Sequence, residues 1–201
     1  FYADDSDIVI NEFMASNDQA VADEYGEFDD WIEIYNKGNQ MINLSGMHLS
    51  DDIANLGKYT FPDVNLAPGD YFIVWADDDE EEQGDFNHAT FKLSADGETL
   101  ILSDTDFTIL NQVTFGEQIT DMGYARVPNG VGSFIIQSPT YAFNNNLLSS
   151  HLEKNNSNKY VIKQIDVLGR DNTQSIGFVV NVYNDGSVEK KFVISNSKSI
   201  D

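Results

Sequence analysis

Cysteine is absent from this 201-residue sequence, so neither disulfides nor a thiolate zinc site brace the fold, and cysteine usage assigns no compartment. Positive charge is scarce: 11 Lys and Arg stand against 34 Asp and Glu, a formal net charge of -23. So acidic a chain repels phosphate backbones and anionic membrane surfaces, which argues against nucleic-acid binding. No apolar run approaches the roughly 18 residues of a membrane-spanning helix, so no membrane insertion is expected. A catalytic constellation is missing too. The three histidines, His48, His88 and His151, lie in unrelated contexts, none beside a Ser in a nucleophile-elbow pattern and none paired at helical metal-ligand spacing. Each reads as structural. Carboxylate pairs are abundant, but among 34 acids chance pairing is expected and carries little weight for glycosidase chemistry.

The acidic residues that are present are unevenly spread. Up to His151 there are 4 basic and 28 acidic residues, and beyond it 7 and 6, so a body at -24 precedes a tail at +1. That break marks a boundary. The general consequence of the charge is a well-solvated surface, and the sharper one is divalent-cation binding. Residues 77–82 are six consecutive acids, a self-repelling run that reads as a solvated loop.

Period-two alternation organises the body. In residues 30–36, Asp-Trp-Ile-Glu-Ile-Tyr-Asn, Ile32 and Ile34 project to one face of a strand and Trp31, Glu33 and Tyr35 to the other. The isoleucines are assigned to the core and Glu33 to an exposed face. Residues 8–14 form an earlier strand, and an acidic connection follows in which Ser16 or Asn17 caps a short helical turn near Ala20. Over residues 42–49 the apolar phase shifts across Ser45-Gly46, as a bulge would cause. Ala67-Pro68-Gly69-Asp70 suits a type II turn, and residues 71–76 run apolar like a central strand. Further strands are expected at 58–61, 91–93, 99–102, 107–115, 121–127 and 133–136, separated by turn signals such as Asp96-Gly97 and Pro128-Asn129-Gly130. Short strands at such intervals spell a sandwich or barrel.

Four segments carry a family resemblance. Residues 8–17 (Ile-Val-Ile-Asn-Glu-Phe-Met-Ala-Ser-Asn), 30–36, 44–52 (Leu-Ser-Gly-Met-His-Leu-Ser-Asp-Asp) and 71–76 (Tyr-Phe-Ile-Val-Trp-Ala) follow in order. Together they resemble the lamin tail domain in its bacterial, secreted form. The resemblance implies an all-β, immunoglobulin-like β-sandwich over residues 7–143, used for binding or assembly rather than chemistry.

After Phe143 the composition changes. Residues 144–158 are rich in Asn and Ser and read as a linker. Residues 159–195 contain Val-Leu-Gly-Arg and a hairpin signal at Asn184-Asp185-Gly186-Ser187. They resemble the C-terminal sorting tails that type IX secretion machinery handles, which implies a short β-hairpin appendage for sorting or anchoring and a secreted or cell-surface location. A start at Phe1 rather than Met fits removal of a signal peptide, as it fits other trimming.

Candidate sites come from the loops and the outer strand face. Six to eight oxygens hold a calcium ion, and loops at a sandwich end can converge them. The candidates are Glu12, Asn17 and Asp30, with Glu27 and Glu33 in reserve, although period two separates Asp30 from Glu33. Solvated carboxylates and a cap explain the same residues without an ion. Trp31 and Tyr35 share one face and form a binding patch if exposed, or lie beneath a neighbouring loop or the tail. The expected function is a non-catalytic extracellular binding, adhesion or assembly module whose partner is a protein or glycan. A divalent-metal-assisted hydrolase and a structural spacer are the alternatives.

Overall fold

The computed structural model describes residues 6–78, 87–147, 161–166, 177–183 and 188–193. Two compact units divide the chain, residues 1–148 and 149–201. Among the described residues of the first there is no α-helix, and the expected all-β sandwich forms.

One sheet has six strands. β1 (Ile8–Met14) and β2 (Asp30–Asn36) lie at its centre. The other strands of the body, in chain order, are β3 (Ile42–Asn43), β4 (His48–Ser50), β5 (Tyr59–Thr60), β6 (Asn65–Leu66), β7 (Tyr71–Ala76), β8 (His88–Ala89), β9 (Thr99–Ser103), β10 (Ile109–Thr114), β11 (Gly123–Val127) and β12 (Ser133–Gln137). The six-stranded order is β12-β11-β1-β2-β7-β8, and a second sheet runs β10-β9-β4-β5. Side chains of alternating position fill the space between them: Ile32 and Ile34 from β2 and Val74 and Ala76 from β7, with Leu49, Leu100, Leu102 and Val113 from the opposite sheet. The assignment of the isoleucines to the core holds.

Local chemistry explains several joints. The 67–70 turn has Gly69 at φ 84° and a bond from Asp70 N–H to the Ala67 carbonyl (3.0 Å), as its Pro-Gly sequence predicts. The phase shift at Ser45-Gly46 is not a bulge. β3 pairs with β6 in a small ribbon while β4 joins the second sheet, so the chain changes partner sheet there, with Gly46 at φ 77°. No helix forms near Ala20. Asn17 Oδ1 does accept from the backbone of Ala20 (3.1 Å) and Val21 (3.2 Å), but Gly26 and the acidic residues that follow do not propagate a helix from one capped turn.

Residues 139–147, partly assigned to a linker by their sequence, complete the first unit. A 3-10 turn at Asn145–Leu147 ends it, and Asn145 is fully buried. In the second unit β13 (Val161–Asp166), β14 (Gly177–Tyr183) and β15 (Val188–Val193) form an antiparallel sheet. It is a three-stranded meander rather than a hairpin alone, because β13 pairs along β14. The 184–187 turn and most of the 144–158 linker lie outside the described residues, as do residues 79–82 of the acidic run. Asp77, which opens that run, corrects the solvated reading: it is buried against a histidine described below.

Candidate functional site

A bulge in β1 sets up the outer face of the six-stranded sheet. Its register shifts between Ile10 and Glu12, so the core-facing positions change from Ile8 and Ile10 to Phe13 and Ala15. Asn11 and Glu12 are thereby aimed to the outer side. Glu12 lies directly across from Glu33 of β2, and both carboxylates are fully buried.

Donors for these two carboxyl groups come from the segment after β12. Thr140 N–H donates to Glu12 Oε1 (3.0 Å) and Tyr141 N–H to its Oε2 (3.2 Å), while Ala142 N–H donates to Glu33 Oε2 (2.6 Å). The Thr140 hydroxyl also donates to Glu12. Tyr141 and Ala142 sit at φ 42° and 60°, a left-handed pair that turns successive N–H groups toward one side and forms an anion-holding concavity. Such backbone costs on the order of 1–3 kcal/mol per residue, and it persists because two buried carboxylates without donors would cost more. Asparagines close the network. Asn11 Nδ2 donates to Glu33 Oε1 (2.7 Å) and to Asn129 Oδ1 (3.0 Å), and Asn145 Nδ2 donates to the carbonyls of Asn11 (3.2 Å) and Arg126 (3.0 Å).

This geometry revises several sequence expectations. Glu33 is not on an exposed face. Trp31 is not part of an exposed aromatic patch: it is fully buried, with the Tyr141 ring edge-on at 5.3 Å. Tyr35 is partly buried and stacks on Tyr71 at 4.8 Å. For Trp31 the loop alternative therefore applies, since the Tyr141 ring packs on it. The proposed calcium ligands do not converge. Glu12 faces outward beneath the 140–142 backbone, whereas Asp30 shares the inward face of β2 and accepts Leu93 N–H (3.2 Å). Burial pushes the Asp30 carboxyl up to about 7, against the Leu93 hydrogen bond and Lys92, which lower it. Asn17 spends its amide clamping its own loop, with Nδ2 donating to the carbonyls of Val21 (2.6 Å) and Asp29 (2.7 Å). Glu27 is exposed, and its N–H donates to Asp23 Oδ1 (2.8 Å).

A second cluster lies at the β8 edge. Asp23, Glu24 and His88 bring one ligand atom each within 4.8 Å of one another. The His88 side chain is buried, with Nδ1 against Asp77 and Nε2 3.1 Å from Glu24 Oε1. Burial opposes the imidazolium, but hydrogen bonds and attraction from Asp77 and Glu24 outweigh it and raise the His88 pKa. Sequence spacing could not find this group, because 64 residues separate Glu24 from His88.

The model of the Lamin Tail Domain family matches residues 3–117, more than half of the chain. The chain belongs to that family. Comparison with curated proteins found no match. In this lamin tail domain the matched region holds β1 to β10, including Glu12, Glu33 and the His88 cluster, and the immunoglobulin-like sandwich continues past it through β11, β12 and residues 139–147. The family's fold is generally non-catalytic. Here the paired glutamates agree with that character: they are buried and already accept backbone N–H groups, so a substrate would have to displace residues 140–142 to reach them.

Proposed function

We propose that this lamin tail domain is a non-catalytic binding or assembly module of a secreted or surface-displayed bacterial protein, with residues 159–195 addressing it to type IX secretion machinery. The observation that carries the binding reading is the edge strand β12. Among the described residues it pairs with β11 alone, and Ile135 and Ile136 are 43% and 40% exposed. An edge strand without Lys or Pro in its span offers a row of backbone donors and acceptors, and exposed β-branched side chains beside it favour an extended segment of a protein partner. Glycans lack the backbone ladder that such an edge recognises.

Binding of the full chain to panels of extracellular proteins and glycans, read by biolayer interferometry, tests this. Saturable binding to a protein, weakened by Ile136→Lys without a change in melting temperature, supports the module. Binding to glycans alone, or to nothing, overturns the strand-addition reading. Divalent-ion-dependent turnover of ester, phosphate or glycoside substrates overturns the non-catalytic one. Export of a reporter fused to residues 149–201 in a host with type IX secretion checks the tail separately, and a reporter retained in the cell removes that role.

A further inference from the structure

We propose that Asp23, Glu24 and His88 form a binding site for a single divalent transition ion of the zinc class, which ties the 15–29 loop to the β8 edge of the sandwich. The proposal is independent of the binding-module reading. One carboxylate oxygen of Asp23 has no hydrogen-bond partner among the described residues. Asp23 Oδ1 accepts the N–H groups of Tyr25 (2.9 Å) and Glu27 (2.8 Å), which fix the carboxylate. Its Oδ2 is that oxygen, and it is buried. A buried carboxylate oxygen without a donor is costly, and native structures seldom leave one without a reason. Asp23 also offers a carboxylate oxygen within 4.8 Å of ligand atoms of Glu24 and His88, where a cation would neutralise the carboxylate.

His88 makes this more than an acidic cluster. β8 runs parallel to β7 with His88 beside Trp75, which fixes the backbone, and the imidazole is held at Nδ1 by Asp77, itself buried at the end of β7. A carboxylate on one ring nitrogen sets the tautomer and presents the other nitrogen to a metal, the recurring support of metal-bound histidines. Without an ion, the Nε2 position faces Glu24 Oε1 at 3.1 Å, so an entering ion would take the place of the proton between them. The Tyr25 ring packs against the imidazole at 5.8 Å.

The donor set selects the ion class. Calcium and magnesium prefer oxygen-only shells, whereas one imidazole and two carboxylates suit zinc and its neighbours. Bonds of about 2.0–2.2 Å to a tetrahedral ion place donor atoms roughly 3.3–3.5 Å apart. The His88 to Glu24 separation is already 3.1 Å, and the Glu24 side chain, 49% exposed, is free to adjust toward Asp23. Three protein donors leave a fourth position for water. Because the ion binds only the folded arrangement, occupancy adds stability by mass action.

The test uses the full chain after chelator treatment and dialysis. Calorimetric titration with zinc chloride should show one saturable equivalent, while calcium and magnesium chloride at the same concentration should not. Imidazole nitrogen resonances should identify the site, with His88 shifting on zinc addition and His48 and His151 unaffected. Glu24→Gln, at a half-exposed position that preserves the fold, should weaken zinc at least tenfold. Asp77→Asn should weaken it about 10- to 100-fold through loss of the support on Nδ1, and melting curves without metal will confirm that both variants fold. Absence of a saturable zinc equivalent, zinc shifts at histidines other than His88, equal binding of magnesium, or unchanged affinity in Glu24→Gln would each overturn the site and leave a plain carboxylate–histidine cluster.

Discussion

Glu12 and Glu33 face each other across the two central strands, both fully buried, and the backbone of residues 140–142 supplies hydrogen bonds to both. Two acidic side chains side by side would favour an open face if nothing hydrogen-bonded to them. The N–H groups that cap them make the last segment of the body an obligatory part of the sheet, although it lies more than 100 residues away in sequence. Stability of the sandwich therefore depends on a segment with no strand of its own.

Substituting Glu33→Lys should lower stability by about 2–4 kcal/mol, because the Ala142 N–H and the Asn11 amide would lose a buried acceptor. Placing the isoleucines in the core and taking the opposite face as solvated predicts tolerance at this position. Urea denaturation distinguishes the two: a change below about 0.5 kcal/mol, typical of a surface site, would contradict the burial. Ile32→Asp should abolish folding on either view, since it places a charge in the core.

Truncation after Leu148 should leave the melting temperature of the first unit nearly unchanged. Truncation after Phe143 should lower it, since Asn145 takes with it its bonds to the Asn11 and Arg126 carbonyls and to Asn129, a loss of roughly 2–4 kcal/mol. Equal melting of the two truncations, followed by circular dichroism, would show that Asn145 is dispensable.

Tyr141→Ala should uncover both tryptophans of the chain. The Tyr141 ring lies 5.3 Å from Trp31 and 5.8 Å from Trp75, and both indoles are buried. Their emission should shift to longer wavelength and become accessible to acrylamide, with a stability loss of about 3 kcal/mol for the missing aromatic packing. Unchanged quenching would mean that other groups cover the face.

Asp30→Asn should stabilise the protein in a pH-dependent way. Unfolded, the Asp30 carboxyl ionises near its ordinary 3.8, and folded near 7. Between those values the native state holds a proton that the unfolded chain has released, so its contribution to stability falls as pH rises from about 4 to 7 and is flat above. The asparagine variant escapes that loss and keeps an oxygen for Leu93 N–H. The gain should be near zero at pH 4 and about 2 kcal/mol at pH 8, reduced from the full linkage value for partial exposure. A gain independent of pH would refute the raised ionisation.

Much of the sandwich could be read from short-range pattern. The alternation of Ile32 and Ile34, the Pro-Gly turn at 68–69 and the run from Tyr71 to Ala76 each encode structure within a few residues, where sterics and side-chain spacing act directly. The family resemblance over residues 8–76 rested on the same local segments. The Ser45-Gly46 phase shift was visible too, but its cause was not, because a bulge and a change of partner sheet produce the same local pattern.

The sequence by itself determined that β2 has two unlike faces, that the body is acidic, and that turns divide it into short strands. Only the tertiary structure decided what covers each face. Period two separates Trp31 and Glu33 from the isoleucines, yet it carries no information about which side meets water, and the cover comes from residues 140–142 across a long stretch of chain. The same limit applied to charge. Asp77 belonged to a run of like charges that, considered alone, must be solvated; in the folded chain His88, 11 residues on, meets its carboxylate and makes burial possible. Asp23, Glu24 and His88 share no sequence spacing that signals a ligand set, and become neighbours only because β8 pairs with β7 beside the 15–29 loop. Local sequence fixes conformation and polarity through forces that act over a few residues, whereas burial and site geometry depend on contacts whose partners the fold must first bring together.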